Sequence, residues 1–315
     1  MIRNVTGVMF TTFLALGILA LVLGQVSSPW YLELFSHFKL QYTLLFIGLF
    51  VAFLCLKQNG RAILSLLFAL ICLSAIAPYI PATKYTEASE SSSASLRLMF
   101  YNMWVGNTKY DAIAQMVKTE DPDVLILAEV AGIAYKSLKE RLSADYPYSD
   151  FQTGPTTYLD VAFFSKKEPT FVKVVYSKKD RIPVLRIGFN SGEKDFVVYG
   201  VHTSAPLSSD KARSRDEQLM DLVQNIKDEV KPTIMLGDLN ITPWSPVFKR
   251  FISDSGLVEA RLGRGLMQSW SLGLPAISRI PIDHALSTEG IDVVGMRIGD
   301  SVGSDHSPVI VDAVI

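Results

Sequence analysis

Cysteine is almost missing from this chain. Its 315 residues hold two, Cys55 and Cys72, both inside apolar runs. The remainder has none, which excludes a disulfide framework or a thiolate metal site there. A basic surplus is missing too. Formal net charge is −1, and past Ser95 there are 25 Lys and Arg against 28 Asp and Glu. Tight non-specific nucleic-acid binding runs on excess positive charge, so the balance leans away from it, although a local basic patch stays open. Charge of either sign is absent from three stretches, residues 5–26, 40–56 and 62–82.

Uncharged runs of this length cross a bilayer as helices. The first is too long, and too soon followed by more apolar sequence, for a cleaved signal peptide. Residues 1–80 therefore read as a membrane anchor of three transmembrane helices, with the lipid bilayer as partner. Lys and Arg in short loops set the orientation. Arg3 flanks the first helix, and Lys57 and Arg61 lie in the turn between the second and third. With three spans they share one side, the cytoplasmic one, and everything after the third helix lies outside. Trp30, Tyr31, Tyr42 and Tyr79 then sit near the outer interface, where aromatic belts form. If the second run did not cross, the rest of the chain would be cytoplasmic. Residues 81–95 carry Thr, Ser and Glu without periodicity and read as a short flexible tether.

From residue 96 the pattern is that of an ordinary soluble domain, ending at 315. Apolar or alternating runs predict strands at 96–101, 123–130, 160–165, 171–176, 184–189, 196–202, 282–286, 291–298 and 308–314. Helical spacing predicts helices at 111–119 and 210–229. Several strands follow one another without a helix between, which points to α/β architecture with mixed sheets.

Polar residues recur where these strands begin or end. Asn102 closes the first and Glu129 the second. His202 closes the strand 196–202. Pro232 to Leu236 runs into Gly237-Asp238-Leu239-Asn240. Residues two apart on an extended segment face the same side, so Asp238 and Asn240 share a site. Asp283-His284 and Ser304-Asp305-His306-Ser307-Pro308 complete the set. Each has a bland reading, as cap, turn former or core histidine, and His284 is assigned to structure because alternation turns it away from Asp283. Their recurrence at the ends of separate strands is what a site requires. Carboxylates and amides without cysteine favour a hard, oxygen-ligated cation, Mg²⁺ or Mn²⁺. A histidine beside a carboxylate supplies a tuned acid or base. Together these suit metal-assisted hydrolysis of phosphate esters.

Asn102, Leu127-Ala-Glu129-Val130, Val201-His202-Thr203, Gly237-Asp238-Leu239-Asn240, Ile282-Asp283-His284 and Gly303-Ser304-Asp305-His306-Ser307-Pro308 resemble, in residues and in order, the endonuclease/exonuclease/phosphatase superfamily. The resemblance covers about residues 96–315. Pro243-Trp-Ser-Pro246, Gly263-Arg-Gly-Leu266 and Arg279-Ile-Pro-Ile-Asp-His284 are similar to its membrane-anchored bacterial branch. The resemblance implies a four-layer α/β sandwich with two mixed sheets. It implies that Glu129 binds the divalent metal, helped by Asn102 and Asp305. Asp238 would orient or deprotonate the attacking water, and Asn240 and His202 would hold the phosphate. His306 would contact the scissile phosphate, with Asp283 setting its tautomer. Tyr158 is similar to an active-site tyrosine of the apurinic-site enzymes. The acidic residue those enzymes carry two positions after the asparagine is Trp104 here, which leaves a second metal ligand unsupported at that point.

The expectation is a phosphodiesterase anchored in a bacterial inner membrane, with its catalytic domain in the periplasm or outside the cell. Its substrate would be a membrane-proximal phosphate ester or nucleic acid, and no protein partner is implied. An exported endonuclease or exonuclease is the alternative. The intact set of site residues argues against a non-catalytic binding or sensor module.

Overall fold

The computed structural model describes residues 2–81, 96–192 and 194–315. The expected tether, except Pro81, lies outside the described residues. The apolar N-terminal region forms α1 (Ile2–Leu23), a one-turn α2 (Trp30–Glu33), α3 (Lys39–Cys55) and α4 (Asn59–Ile76). Three helices here are long and apolar enough to cross a membrane. Helix is the form such a segment takes in lipid, because it satisfies every backbone group internally. A tight turn folds α3 back along α4, and Leu14, Leu21, Phe46, Leu49, Phe53, Ala69 and Cys72 fill the space between the three.

Among the described residues, the remainder holds twelve strands: β1 (Leu96–Asn102), β2 (Val124–Ala128), β3 (Tyr148–Gln152), β4 (Val161–Ser165), β5 (Phe171–Tyr176), β6 (Pro183–Asn190), β7 (Asp195–His202), β8 (Thr233–Asp238), β9 (Val258–Glu259), β10 (Asp283–Ser287), β11 (Asp292–Ile298) and β12 (Val309–Val314). They make two six-stranded sheets, ordered β11-β12-β1-β2-β4-β3 and β5-β6-β7-β8-β10-β9. The sheets pack face to face through Leu98, Phe100, Ile126 and Phe163 from one, and Leu185, Val198, Leu236 and Ala285 from the other. Helices Tyr110–Glu120 and Gly132–Leu142 cover the outer face of the first sheet, and Ser209–Lys227 and Pro246–Ser255 that of the second. The result is the expected four-layer α/β sandwich with two mixed sheets.

One topological feature positions everything that follows. In each sheet a single central pair is parallel, β1 with β2 and β7 with β8. Their carboxyl ends lie at one rim. Strands β4, β10 and β12 run antiparallel to β2, β8 and β1, so they reach that rim with their amino ends. Residues after β1, β2, β7 and β8, and residues before or opening β4, β10 and β12, therefore meet.

Four elements exceed the sequence expectation: β3, β9 and the helices Gly132–Leu142 and Pro246–Ser255. Strand β3 is a half-buried edge carrying Ser149, Asp150 and Gln152, so it shows no alternation. The helix Pro246–Ser255 carries a complete boundary signature. Ser245 accepts from the Val247 amide, Pro246 opens the first turn and Gly256 closes the last in the left-handed region.

Candidate active site

The rim gathers most of the polar residues read from the sequence. Asn102 Nδ2 donates to Glu129 Oε1 at 3.0 Å and to Asp238 Oδ2 at 3.1 Å. The Val105 amide donates to Glu129 Oε2 at 3.3 Å. Asp238 Oδ1 accepts from the Asn240 amide at 2.8 Å, the turn expected of an Asp two residues before its partner. Asn240 Nδ2 donates to the Thr203 carbonyl at 2.9 Å and lies 3.5 Å from His202 Nε2. That nitrogen is 3.6 Å from Asp238 and 4.0 Å from Glu129. His306 Nδ1 meets Asp283 Oδ2 at 2.9 Å, and its Nε2 faces Asp238 Oδ2 at 3.7 Å. Strand register explains the convergence, since Asp283 sits directly opposite Asp238 and His202 beside it.

Backbone constraints serve the same end. Glu129, Asn240 and Trp104 adopt positive φ of 55°, 50° and 62°. Asn tolerates this region; for Glu and Trp the strain is on the order of 1–3 kcal/mol each and clusters where side chains must be aimed. A Cβ on Gly237 would lie 2.3 Å from the Val201 carbonyl oxygen. Strands β7 and β8 approach too closely there for any side chain, which is why glycine precedes Asp238.

Two expected residues sit further out. Asp305 is exposed at the lip, its Oδ2 accepting from Trp270 Nε1 at 2.8 Å. It lines a cleft of about 550 Å³ with Trp104, Leu272, Gly273, Gly303 and Ser304. The backbone of Tyr158 lies against His202, while the residue as a whole is 58% exposed. His284 is structural, as read: its Nε2 contacts the Ile241 carbonyl at 2.8 Å and its ring stacks on Phe248.

The sequence reading gave no role to Ser304 and Arg261. Ser304 Oγ donates to the Asn102 carbonyl at 2.7 Å and accepts from the His306 amide at 3.0 Å, tying β1 to the His306 loop. Arg261, fully buried, donates to the Asp283 carbonyl at 2.7 Å. Ser304 could have been found by its place beside Asp305-His306. Nothing local marks Arg261.

The electrostatics are those of acids held out of water. Burial, then the neighbouring Asp283, raises Asp238 to about 8. Burial alone lowers His306, but the Asp283 and Asp238 carboxylates outweigh it and raise that group to about 10. Burial and the positive His306 push His202 down to about 4. Burial also raises Glu129. Among the described residues, Glu129, Asp238 and Asp283 have no Lys or Arg side-chain ion pair. A cluster of carboxylates and an amide, short of cationic partners, fits a hard divalent cation. Asp238, Asp283 and His306 come close enough to share one, with ligand atoms within 4.8 Å. Both ring nitrogens of His306 already face those two acids, so Glu129 with Asn102 offers the freer donor pair.

Two mixed sheets face to face, with acids, amides and histidines converging on one rim, define a class of metal-dependent phosphate-ester hydrolases. The sequence matches the model of the endonuclease/exonuclease/phosphatase family over residues 99–306, and the chain belongs to that family. Solved structures share the fold. A member of this family from Bacteroides vulgatus aligns with a TM-score of 0.60 at 17% identity, covering 70% of this chain and 98% of that one. A mannosyl-6-phosphatase from Bacteroides thetaiotaomicron gives 0.55 at 18%, covering 70% and 100%. D. rerio TDP2 complexed with single-strand DNA product gives 0.58 at 14%, covering 70% and 99%. No curated protein matches the sequence.

Proposed function

We propose that this chain is a membrane-anchored, Mg²⁺-dependent phosphoesterase (Mn²⁺ being the substitute) that hydrolyses phosphate esters presented at a bilayer surface. The observation that carries the chemistry is the convergence of Asn102, Glu129, His202, Asp238, Asn240, Asp283 and His306 at one rim. When bound, the cation supplies neutralising charge at the phosphoryl oxygens and polarises a water. Glu129 and Asn102 would hold it, with Asp305 at the lip. Asp238 orients the attacking water and takes its proton, a role that its raised affinity for protons suits. His306 donates from Nε2 to the scissile phosphate, while Asp283 holds its Nδ1. Asn240 and His202 support the phosphoryl oxygens as negative charge builds.

Support for the substrate class comes from the loop between Trp270 and Arg279. At one end the Leu272 amide donates to the Asp305 carbonyl at 2.9 Å, beside the cleft. At the other, Gln41 Nε2 in the first turn of α3 donates to the Ile277 carbonyl at 2.8 Å. If α3 spans, that turn lies at the membrane boundary, and the loop lies along the bilayer with Leu274 and Ile277 49% and 54% exposed. Apolar tips beside a polar cleft suit a phosphate ester embedded in lipid. The Lys and Arg distribution supports an orientation in which this face lies outside the cytoplasm, on the periplasmic or outer side of a bacterial inner membrane.

The test uses the full chain in detergent with Mg²⁺. Phospholipid vesicles should release phosphate-bearing headgroups or free phosphate, and EDTA should abolish the release until Mg²⁺ is restored. Nicking of supercoiled plasmid with no action on vesicles would make the chain an exported nuclease instead. Hydrolysis that survives EDTA would overturn the metal-dependent reading.

A further inference from the structure

The segment between α1 and α3 lies outside the family's matched residues, yet it is built into the catalytic loop. Glu33 and Arg215 are each 1% exposed, and Arg215 Nη2 donates to Glu33 Oε2 at 2.6 Å. The other oxygen of Glu33 accepts from Ser245 Oγ. Arg215 also reaches back with Nη1 to the Asn240 carbonyl at 3.4 Å. Four residues on, His37 Nδ1 contacts Thr242 Oγ1 at 2.9 Å. From the end of α4, the Ala75 carbonyl accepts from Trp244 Nε1 at 3.1 Å. Residues 240–245, which carry Asn240 at positive φ, are therefore held at three points by the helical anchor and at a fourth through Arg215, which Glu33 itself grips.

A soluble domain joined by a plain tether would not need these contacts. A buried carboxylate and guanidinium lose their hydration, which only good geometry and further hydrogen bonds offset. Here both oxygens of Glu33 are engaged, and Arg215 also donates to Asp216 at 2.7 Å. The path of the loop is shaped to fit. A Cβ on Gly24, at the end of α1, would lie 2.6 Å from the Ser36 amide nitrogen. That close approach packs the turn at Phe35 and Ser36 against the end of α1, next to the residues that reach the catalytic domain.

We infer that Glu33 and Arg215 are positioning residues for the active site: the anchor sets the place of Asn240, and the catalytic domain is fully competent only when seated on it. This rests on the proposed hydrolysis, with Asn240 as a phosphate-holding group. A displacement of about 1 Å at such a group is enough to cost on the order of a hundredfold in rate. Since Asn240 aids the reacting phosphate rather than initial binding, the loss should fall on kcat more than on KM.

The experiment compares Glu33→Gln, Arg215→Lys and Tyr79→Phe in the full chain, with bis(p-nitrophenyl) phosphate as probe. Tyr79→Phe removes only the hydroxyl that donates to Glu259 and keeps the ring that packs against Trp244 of the loop. Glu33→Gln and Arg215→Lys should each lower kcat about ten- to a hundredfold with KM within about threefold, and their double variant should be little worse than either. Tyr79→Phe should keep the parental rate. Amide hydrogen exchange at residues 239–245 should quicken in Glu33→Gln and not in Tyr79→Phe, whether or not the chain hydrolyses anything. Unchanged exchange there, or equal kcat losses in all three variants, would overturn the inference. A parent chain inert on every phosphate ester, with exchange altered as stated, would overturn the proposed function and leave the brace standing.

Discussion

Glu129→Gln is expected to lower phosphate-ester hydrolysis by the full chain about 10²–10⁴-fold while leaving the fold intact. The range corresponds to roughly 3–5 kcal/mol of transition-state stabilisation. Glutamine keeps the volume, and its carbonyl oxygen can still accept from Asn102 or Val105. It lacks the charge, and charge is what a hard cation selects. Burial already disfavours the ionised form of Glu129, so removing that charge relieves the fold slightly rather than straining it. Mn²⁺ titration by calorimetry should weaken in parallel with the rate, and thermal melting in EDTA should move little. A variant with the parental rate would remove Glu129 from the site.

Asp238→Asn should be as damaging to the rate, by about 10²–10⁴-fold, because an amide cannot take a proton from water. Its effect on stability should have the opposite sign. Asp238 rises in the folded chain from 3.8 to about 8, chiefly through burial and then through Asp283. A raised carboxyl favours the fold in acid and loses that advantage as pH climbs toward 8. His306, raised to about 10, adds a loss of the same sign between 6.5 and 10. The metal-free parent should therefore melt at progressively lower temperature as pH rises from about 5 to 9. Asn at 238 removes the larger of these two contributions and also takes from His306 one of the carboxylates that raise it, so the variant's profile should be flatter. Parallel melting profiles for variant and parent in EDTA would contradict this.

Strong apolar runs were the legible part of the fold. Strand β5, a half-buried edge still marked by its Phe, Val and Tyr, matches its expectation residue for residue, and the largely buried β1, β8 and β10 differ by a residue or two. The polar residues at their ends were legible for the same reason: a charge or amide directly after such a run cannot follow it into the core. What escaped were segments whose stabilisation is tertiary. Strand β3 is an edge without alternation, and the helix Gly132–Leu142 carries Lys136, Lys139, Glu140 and Arg141 on a short apolar stripe. Sequence distance hid the rest. Glu33 and Arg215 are 182 positions apart, and neither sits in a motif. Tyr79, read only as lying near the outer interface, also packs against Trp244 and donates to Glu259.

The site straddles a seam. Asn102, Glu129 and His306 belong to the sheet of β1, β2 and β12, whereas His202, Asp238, Asn240 and Asp283 belong to the other. The bonds from Asn102 to Asp238 and from His306 to Asp283 both cross between sheets. The gap between the two halves is therefore gauged by the thickness of the filling, by Phe100, Ile126 and Phe163 pressed against Leu185, Val198 and Leu236. Such a layer behaves as a shim. Adding or removing a methylene deep within it would open or close the jaws at the rim without touching a single reacting group. Lineages in search of a wider or narrower phosphate ester thus have a dial that lies well away from the chemistry.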